Sequence, residues 1–193
     1  MPIENIQKAD LLELLQKISV SYGDFLLSSG ARSNYYIDCR LTTLHPKGAW
    51  MVGHLMYEMI RNEAKLKAVK IDAVGGLTLG ADPIALATGM VSHLAAPESM
   101  LKVFTVRKAP KAHGQTKLIE GNFQKGDRVV VVDDVITRGD STLRAIEAVQ
   151  AEGGLVEFVA VLVDRQEGGR QKIEEKGFAV LALFNKTELL TKA

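Results

Sequence analysis

Four consecutive valines, Val129 to Val132, run into two adjacent carboxylates, Asp133 and Asp134, and then into Val135-Ile136-Thr137-Arg138-Gly139-Asp140-Ser141-Thr142. An all-β-branched run of this kind is what a strand covered on both faces requires, so a strand delivers both acids to its end. The Thr/Gly/Ser turn then opens a helix, whose exposed amides, hydroxyls and positive terminus make a seat for a phosphate. Carboxylates beside that seat suit the vicinal hydroxyls of a ribose, which donate hydrogen bonds to them, or a divalent metal. An isolated acidic pair would be a solvated strand end, and an isolated Ser141 a helix cap. The whole stretch together points to a sugar-phosphate site.

A second group of residues is cationic. Arg107, Lys108, Lys111, His113 and Lys117 share one polar stretch that ends at Gly121, one strand before the acids. A bare charge cluster is usually a solvated loop. Placed here, it can close over a phosphate leaving group, stabilise the charge that develops there and exclude water. Other chemistries are not supported. His45, His54, His93 and His113 are scattered and Cys39 is the single cysteine, so no zinc spacing exists. Cys39 reads as a small buried hydrophobe, permits no intrachain disulfide and fits a reducing compartment. His45 and His54 read as structural, and no Ser/His/Asp triad is assignable.

The elements that must position these groups follow from hydrophobic periodicity. Leu11, Leu14, Leu15 and Ile18 share a helical face. Phe25–Leu27 and Tyr35–Cys39 read as a strand pair around a turn at residues 28–32. A helix opening at Pro46 turns Ala49, Val52, Gly53, Met56 and Ile60 inward. Ile71–Val74 reads as a short strand, followed by the loop Gly75-Gly76-Leu77-Thr78-Leu79-Gly80 and a helix capped by Asp82, with Ile84, Ala87, Thr88 and Val91 inward. Strands are expected at 101–106, 129–132, 158–163 and 178–184. A helix with Thr142, Ala145, Ile146 and Val149 on its inner face stops at Gly153-Gly154. This alternation means an α/β fold, an open and mainly parallel sheet with helices on both sides. In such sheets ligands bind beyond the carboxyl ends of the strands. About 40 N-terminal residues do not fit the alternation and are expected to form a small hood on a single domain spanning 1–193.

The 193 residues carry a formal net charge of only +1, which implies no bulk attraction to nucleic acid or membrane. The N-terminus lacks the apolar core of a signal peptide and no stretch is apolar for about 18 residues, so a cytoplasmic location is expected.

The stretch from Val129 to Thr142 resembles the phosphoribosyl pyrophosphate (PRPP) signature of type I phosphoribosyltransferases. Arg107-Lys108-Ala109-Pro110-Lys111-Ala112-His113-Gly114, with Ile119-Glu120-Gly121, is similar to the mobile catalytic loop of the orotate enzymes within that class. Phe25 to Gly30 with Ser33 to Asp38 is similar to their orotate-contacting segment, and Asp164-Arg165-Gln166-Glu167-Gly168-Gly169 resembles the segment whose arginine faces orotate. The matches run in family order from about residue 22 to 170. The resemblance implies transfer of phosphoribosyl from PRPP to orotate, giving orotidine 5'-monophosphate and pyrophosphate on the route to UMP. Magnesium, carried mainly by PRPP, would do the electrophilic work. It implies PRPP contacts from Arg107, Lys108, Lys111, His113 and every residue from Asp133 to Ser141, with Lys111, His113, Asp133 and Asp134 as the catalytic set. Orotate contacts fall on Thr137, Arg165, Tyr36 and Ile37, where arginine offers a planar fork that lysine could not reproduce. It implies a homodimer with shared sites, in which Lys108 serves its own subunit while Arg107, Lys111 and His113 reach the neighbour's.

Two departures stand out. Some members have lysine at the position of Ser28 and a Tyr-Lys pair at Leu79-Gly80, so the loop Gly75–Gly80 must hold pyrophosphate through backbone amides. Asp140 places a carboxylate inside the phosphate loop, where it must point outward. Transfer to another base, and a non-catalytic PRPP sensor on the same fold, are the rival readings.

Overall fold

The computed structural model describes residues 6–26, 32–109 and 117–191. Helix α1 (Lys8–Ile18) buries Leu11 and Leu15 completely. Strands β1 (Val20–Leu26) and β2 (Arg32–Ile37) pair antiparallel as a separate two-stranded sheet, with Val20 opposite Ile37 and Leu26 opposite Arg32. The expected turn falls mostly on residues 28–31, outside the described residues, and Arg32 is already strand. The second strand also stops earlier than the apolar pattern suggested. Cys39 is fully buried at the mouth of a helical turn, α2 (Arg40–Thr43), that periodicity over so few residues does not reveal.

Helix α3 (Pro46–Leu66) opens at its proline, and Val52, Gly53, Met56 and Ile60 are buried as expected. Strand β3 (Ala73–Leu77) lies two residues later than expected and takes Gly75 and Gly76 out of the predicted loop. The reason is close approach. A Cβ on Gly75 would run into Phe104, and one on Gly76 into the Val132 carbonyl and Ala81, so glycine here is a strand residue hemmed in by neighbours rather than a loop residue. In α4 (Ala81–Ala95) Asp82 is not the cap; Gly80 holds that position. The Asp82 carboxylate instead accepts from Thr78 Oγ1 at 2.7 Å and from Thr105 Oγ1, tying the loop to the sheet.

The remaining elements are β4 (Lys102–Val106), β5 (Ile119–Gly121), β6 (Arg128–Ile136), α5 (Asp140–Ala151), β7 (Leu155–Asp164), α6 (Gly169–Glu174), β8 (Val180–Asn185) and α7 (Lys186–Leu190). The large sheet has the order β5-β4-β3-β6-β7-β8, parallel except for β5, which runs against β4. Short β5, α6 and α7 were not legible in the sequence. Along β6 the valines alternate between two cores. Val130 and Val132 pack with α1, α3 and α4, through Leu11, Leu15, Met56 and Ile84. Val129 and Val131 pack with α5 and α6, through Ile146, Val149 and Ile173. Helix α1 is therefore built into the main core, and the hood is narrower than the first 40 residues: its own sheet is the β1–β2 hairpin.

Helices α3 and α4 touch where Gly53 has no side chain. A Cβ there would lie 2.8 Å from the Ala87 carbonyl carbon and oxygen. Gly53→Ala should lower the free energy of unfolding by roughly 1–3 kcal/mol through overpacking. An unchanged denaturant midpoint would show that the two helices part without cost.

Candidate active site

The chain moves outward from β3 in both directions, to β4 on one side and to β6, β7 and β8 on the other. Such a switch point opens a crevice at the carboxyl ends of the strands that flank it. The β3–β6 ladder ends with Gly75 opposite Val131, whereas β6 stays paired with β7 as far as Ile136 opposite Asp164. Asp133 and Asp134 thus lie inside a strand, not at its end, just past the point where β3 leaves it. That correction explains their burial, at 5 % and 9 % exposure.

Few groups satisfy these acids. Thr142 Oγ1 donates to Asp133 Oδ2 at 3.0 Å, the Asp134 N–H to Asp133 Oδ1 at 3.0 Å, and the Val135 N–H to Asp134 Oδ1 at 2.9 Å. Neither carboxylate has an ion-pair partner among the described residues. Burial, reinforced by the charge of Asp134, pushes Asp133 up to about 8. Burial raises Asp134 as well, against the opposing pull of the Val135 N–H and of Arg40. Two desolvated carboxylates with spare lone pairs fit hard donors and cations, either ribose hydroxyls or magnesium. Among the described residues no group of three acidic, histidine or cysteine side chains could hold a metal. Asp133 and Asp134 would therefore hold magnesium together with oxygens brought by a substrate, the usual arrangement for this ion.

The turn into α5 is where the sequence places a phosphate seat. Gly139 has φ 78° at the N-cap, a left-handed conformation natural to glycine. The Gly169 N–H donates to the Thr137 carbonyl at 3.0 Å, bracing this turn against the one before α6. Asp140 does point outward: Lys172 Nζ donates to its Oδ1 at 2.5 Å and Arg138 Nε lies 3.8 Å from its Oδ2. The Lys172 bond holds that exposed carboxyl below its usual range. Ile136 is buried in the core, where it pairs with Asp164 in the sheet and its carbonyl accepts from the Arg165 N–H at 2.9 Å, so its place is in the frame of the site. On the opposite wall the loop from Thr78 to Gly80, with a cis Thr78–Leu79 peptide, closes on the acids: a Cβ at Gly80 would strike Asp134 Oδ1 and lie 3.0 Å from Asp133 Oδ1.

Arg165 follows β7. Its guanidinium stands 5.9 Å from the Tyr35 ring centre, with Nε and Nη2 at 3.1 and 3.0 Å from Glu167 Oε1. Tyr36 is partly exposed against Phe25, and Ile37 is buried beneath the hairpin. Burial pushes the thiol of Cys39 well up, and the charges of Asp134, Asp38 and Asp133 add to this while Arg165 opposes it, so these groups lie in the neighbourhood of Cys39. Arg107 and Lys108 begin the basic stretch at the end of β4. Arg107 donates its N–H to the Leu118 carbonyl and lies 3.7 Å from Glu120, and Arg144 donates to the Lys108 carbonyl at 2.9 Å. Lys111 and His113 lie outside the described residues. Sequence reasoning missed Thr142 as the acids' donor, Glu167 as the partner of Arg165, and the pair Asp38 and Arg40. The Asp-x-Arg spacing of that last pair was the available signal.

This cleft and the sheet beneath it define a type I phosphoribosyltransferase. No protein-family model matches the chain. Orotate phosphoribosyltransferase from Rhodopirellula baltica is 43 % identical over 180 residues, covering 93 % of this chain and 92 % of that protein. The same enzyme from Aquifex aeolicus is 43 % identical over 188 residues, covering 96 % and 98 %. The crystal structure of Mycobacterium tuberculosis H37Rv orotate phosphoribosyltransferase in complex with PRPP superposes with a TM-score of 0.75 at 38 % identity, covering 94 % of this chain and 98 % of that one. The chain belongs to the orotate phosphoribosyltransferase family.

The acid pair has a consequence for stability without ligand. Burial pushes Asp133 up to about 8 in the fold, from about 4 when unfolded. Between those values the unfolded chain gives up this proton while the fold keeps it, so stability falls progressively as pH rises from about 4 to about 8. Asp133→Asn has no such cost. The melting temperature of the variant minus that of the wild type should increase from pH 5 to pH 8 and then level off. A difference independent of pH would show that Asp133 ionises normally.

Proposed function

We propose that Asp133 and Asp134 hold the ribose of PRPP while orotate displaces pyrophosphate from its anomeric carbon, giving orotidine 5'-monophosphate. The observation that carries this reading is the buried acid pair, without a salt bridge among the described residues, one of whose members accepts from Thr142 in the first turn of α5. The 2'- and 3'-hydroxyls donate to the two carboxylates, and the 5'-phosphate sits on the amides and hydroxyls of Thr137 to Ser141. Orotate lies between the Tyr36–Ile37 edge of the hood and Arg165, with Thr137 beside it. Its ring nitrogen gives up its proton, to solvent or to the departing pyrophosphate, and bonds to the anomeric carbon as the carbon–oxygen bond to pyrophosphate breaks, with that bond's electron pair leaving on pyrophosphate. The sugar gains positive, oxocarbenium-like character on the way. Desolvated carboxylates held close by a strand favour that charge without reorganising. When bound through pyrophosphate oxygens beside Asp133 and Asp134, magnesium supplies charge neutralisation on the leaving group. The amides of the Thr78–Gly80 loop and the cations Arg107, Lys108, Lys111 and His113 complete that side.

The active form is a homodimer with shared sites. Leu86, Met90 and Leu94 form an exposed stripe on α4, with Met100 also exposed, over a groove of about 870 Å³ whose far wall includes Val103, Gly121 and Phe123. Burial of that surface favours association. A second copy seated there meets the start of β4 and the end of β5, the two strands that the basic loop connects. Among the described residues no helix is long and apolar enough to cross a membrane, and a cytoplasmic location suits a chain with one buried thiol.

Changing both Asp133 and Asp134 to Asn tests the chemistry. The fold should persist while turnover falls at least about a hundredfold, because charge-assisted hydrogen bonds of roughly 1.5–3 kcal/mol each are lost and about 1.4 kcal/mol is a factor of ten. Near-normal turnover would remove the acids from the mechanism. The shared sites are tested by mixing two inactive variants, Lys111→Ala and the double Asn variant, under subunit exchange. Each mixed dimer has one site with both defects and one with neither. About half the dimers are mixed, so roughly a quarter of wild-type activity should return. A mixture that stays inactive after confirmed exchange means that Lys111 serves its own subunit.

A further inference from the structure

One cation that approaches the acid pair from the hood has no role in the account above. Arg40 opens α2, three residues after Ile37. Its Nε and Nη2 donate to Asp38 Oδ1 and Oδ2, each at 2.9 Å, and its own N–H donates to the same Oδ1 at 3.1 Å. The side chain is nonetheless about half exposed, at 48 %. A two-pronged bond fixes the guanidinium while leaving a third nitrogen and one face open, so the ordering cost of a charged ligand contact is already met. An exposed ion pair two residues apart contributes little to stability, so a purely structural role explains the arrangement poorly.

Position supplies the rest. Arg40 acts on Asp134 by its charge, and Asp134 and Tyr36 act on Arg40. Asp134 is also the acid that Gly80 touches. The charge of Arg40 thus bears on the same carboxylate that the loop Thr78–Gly80 closes on, and Arg40 follows Tyr36 and Ile37 on one short segment. Asp38, Asp133 and Asp134 bring negative charge to this part of the molecule, which a polyanionic group approaches more readily where a cation stands among them. The loop Thr78-Leu79-Gly80 carries no charged side chain, and neither does Ser28.

We propose that Arg40 is a substrate-binding residue that receives the pyrophosphate arm of PRPP from the hood side, with Asp38 holding it in place. The assignment rests on the reaction proposed above. It makes the hood a reader of both substrates: Tyr36 and Ile37 meet the base, and Arg40, on the same short segment, meets the leaving group.

The test compares the full-length wild type with Arg40→Met and Arg40→Lys. Initial rates are measured with each substrate varied, together with calorimetric binding of inorganic pyrophosphate in the presence of magnesium. In Arg40→Met the KM for PRPP and the Kd for pyrophosphate should each rise about tenfold or more, the loss expected for one charge-assisted contact. The KM for orotate should move less than about twofold. Arg40→Lys should recover part of the loss, because it keeps the charge without the fork. Arg165→Lys should show the opposite split, raising the KM for orotate alone. Unchanged PRPP and pyrophosphate parameters in Arg40→Met overturn the proposal. So does an equal rise for both substrates with a lowered melting temperature, which would make the Asp38–Arg40 pair structural. If the wild type itself fails to turn over orotate with PRPP, the reaction reading falls, and pyrophosphate binding by wild type and Arg40→Met still decides whether Arg40 is an anion contact.

Discussion

Two carboxylates side by side in a desolvated strand, with no salt bridge among the described residues, are the constraint from which the rest of this molecule follows. Their burial is unfavourable on its own terms, because desolvation disfavours the charged form of both and the charge of Asp134 adds to that penalty at Asp133. Hydrogen bonds from Thr142 and two backbone amides offset part of that cost. The remainder is offset only when donors and cations arrive from outside. The site is thus kept poised for a ligand rich in hydroxyls and metal-bound oxygen, at some expense of stability in its absence.

Holding such a pair in place needs a rigid frame, and the sheet provides it. Strand β6 carries the acids while its valines are locked into both cores, so neither backbone nor side chain can move away from the strain. Strand β3 must leave β6 just where the acids begin, and its glycines let Phe104 and Val132 close in so tightly that the departure point is sharp. The hood contributes a second, softer frame. It brings Tyr36, Asp38 and Arg40 to the cleft on a hairpin that has its own small sheet, while α1 anchors the segment to the core through Leu11 and Leu15.

Much of this was legible in the residues themselves. The valine run and the Thr/Gly/Ser turn specify a buried strand and a helix start by local physics alone, and the structure has both. The outward turn of Asp140 follows from repulsion, although its partner Lys172, on α6, could not be named from a linear pattern. What failed were boundaries decided by tertiary contact. Gly75 and Gly76 looked like loop because glycine usually is; what keeps them in the strand is the crowding of Phe104 and Val132 from distant parts of the chain. Asp82 looked like a cap because of the proline after it, but its side chain is claimed by Thr78 and Thr105 instead. Helices of four to six residues carry too little periodicity to be seen.

The contact between Gly80 and Asp134 also bears on where a cation can be placed. A Cβ at Gly80 would meet the Asp134 carboxylate, so a cation introduced there has to displace that carboxylate or the loop before it can serve a leaving group. Positive charge that leaves the acids undisturbed comes instead from another element, and Arg40, at the start of α2, is on one.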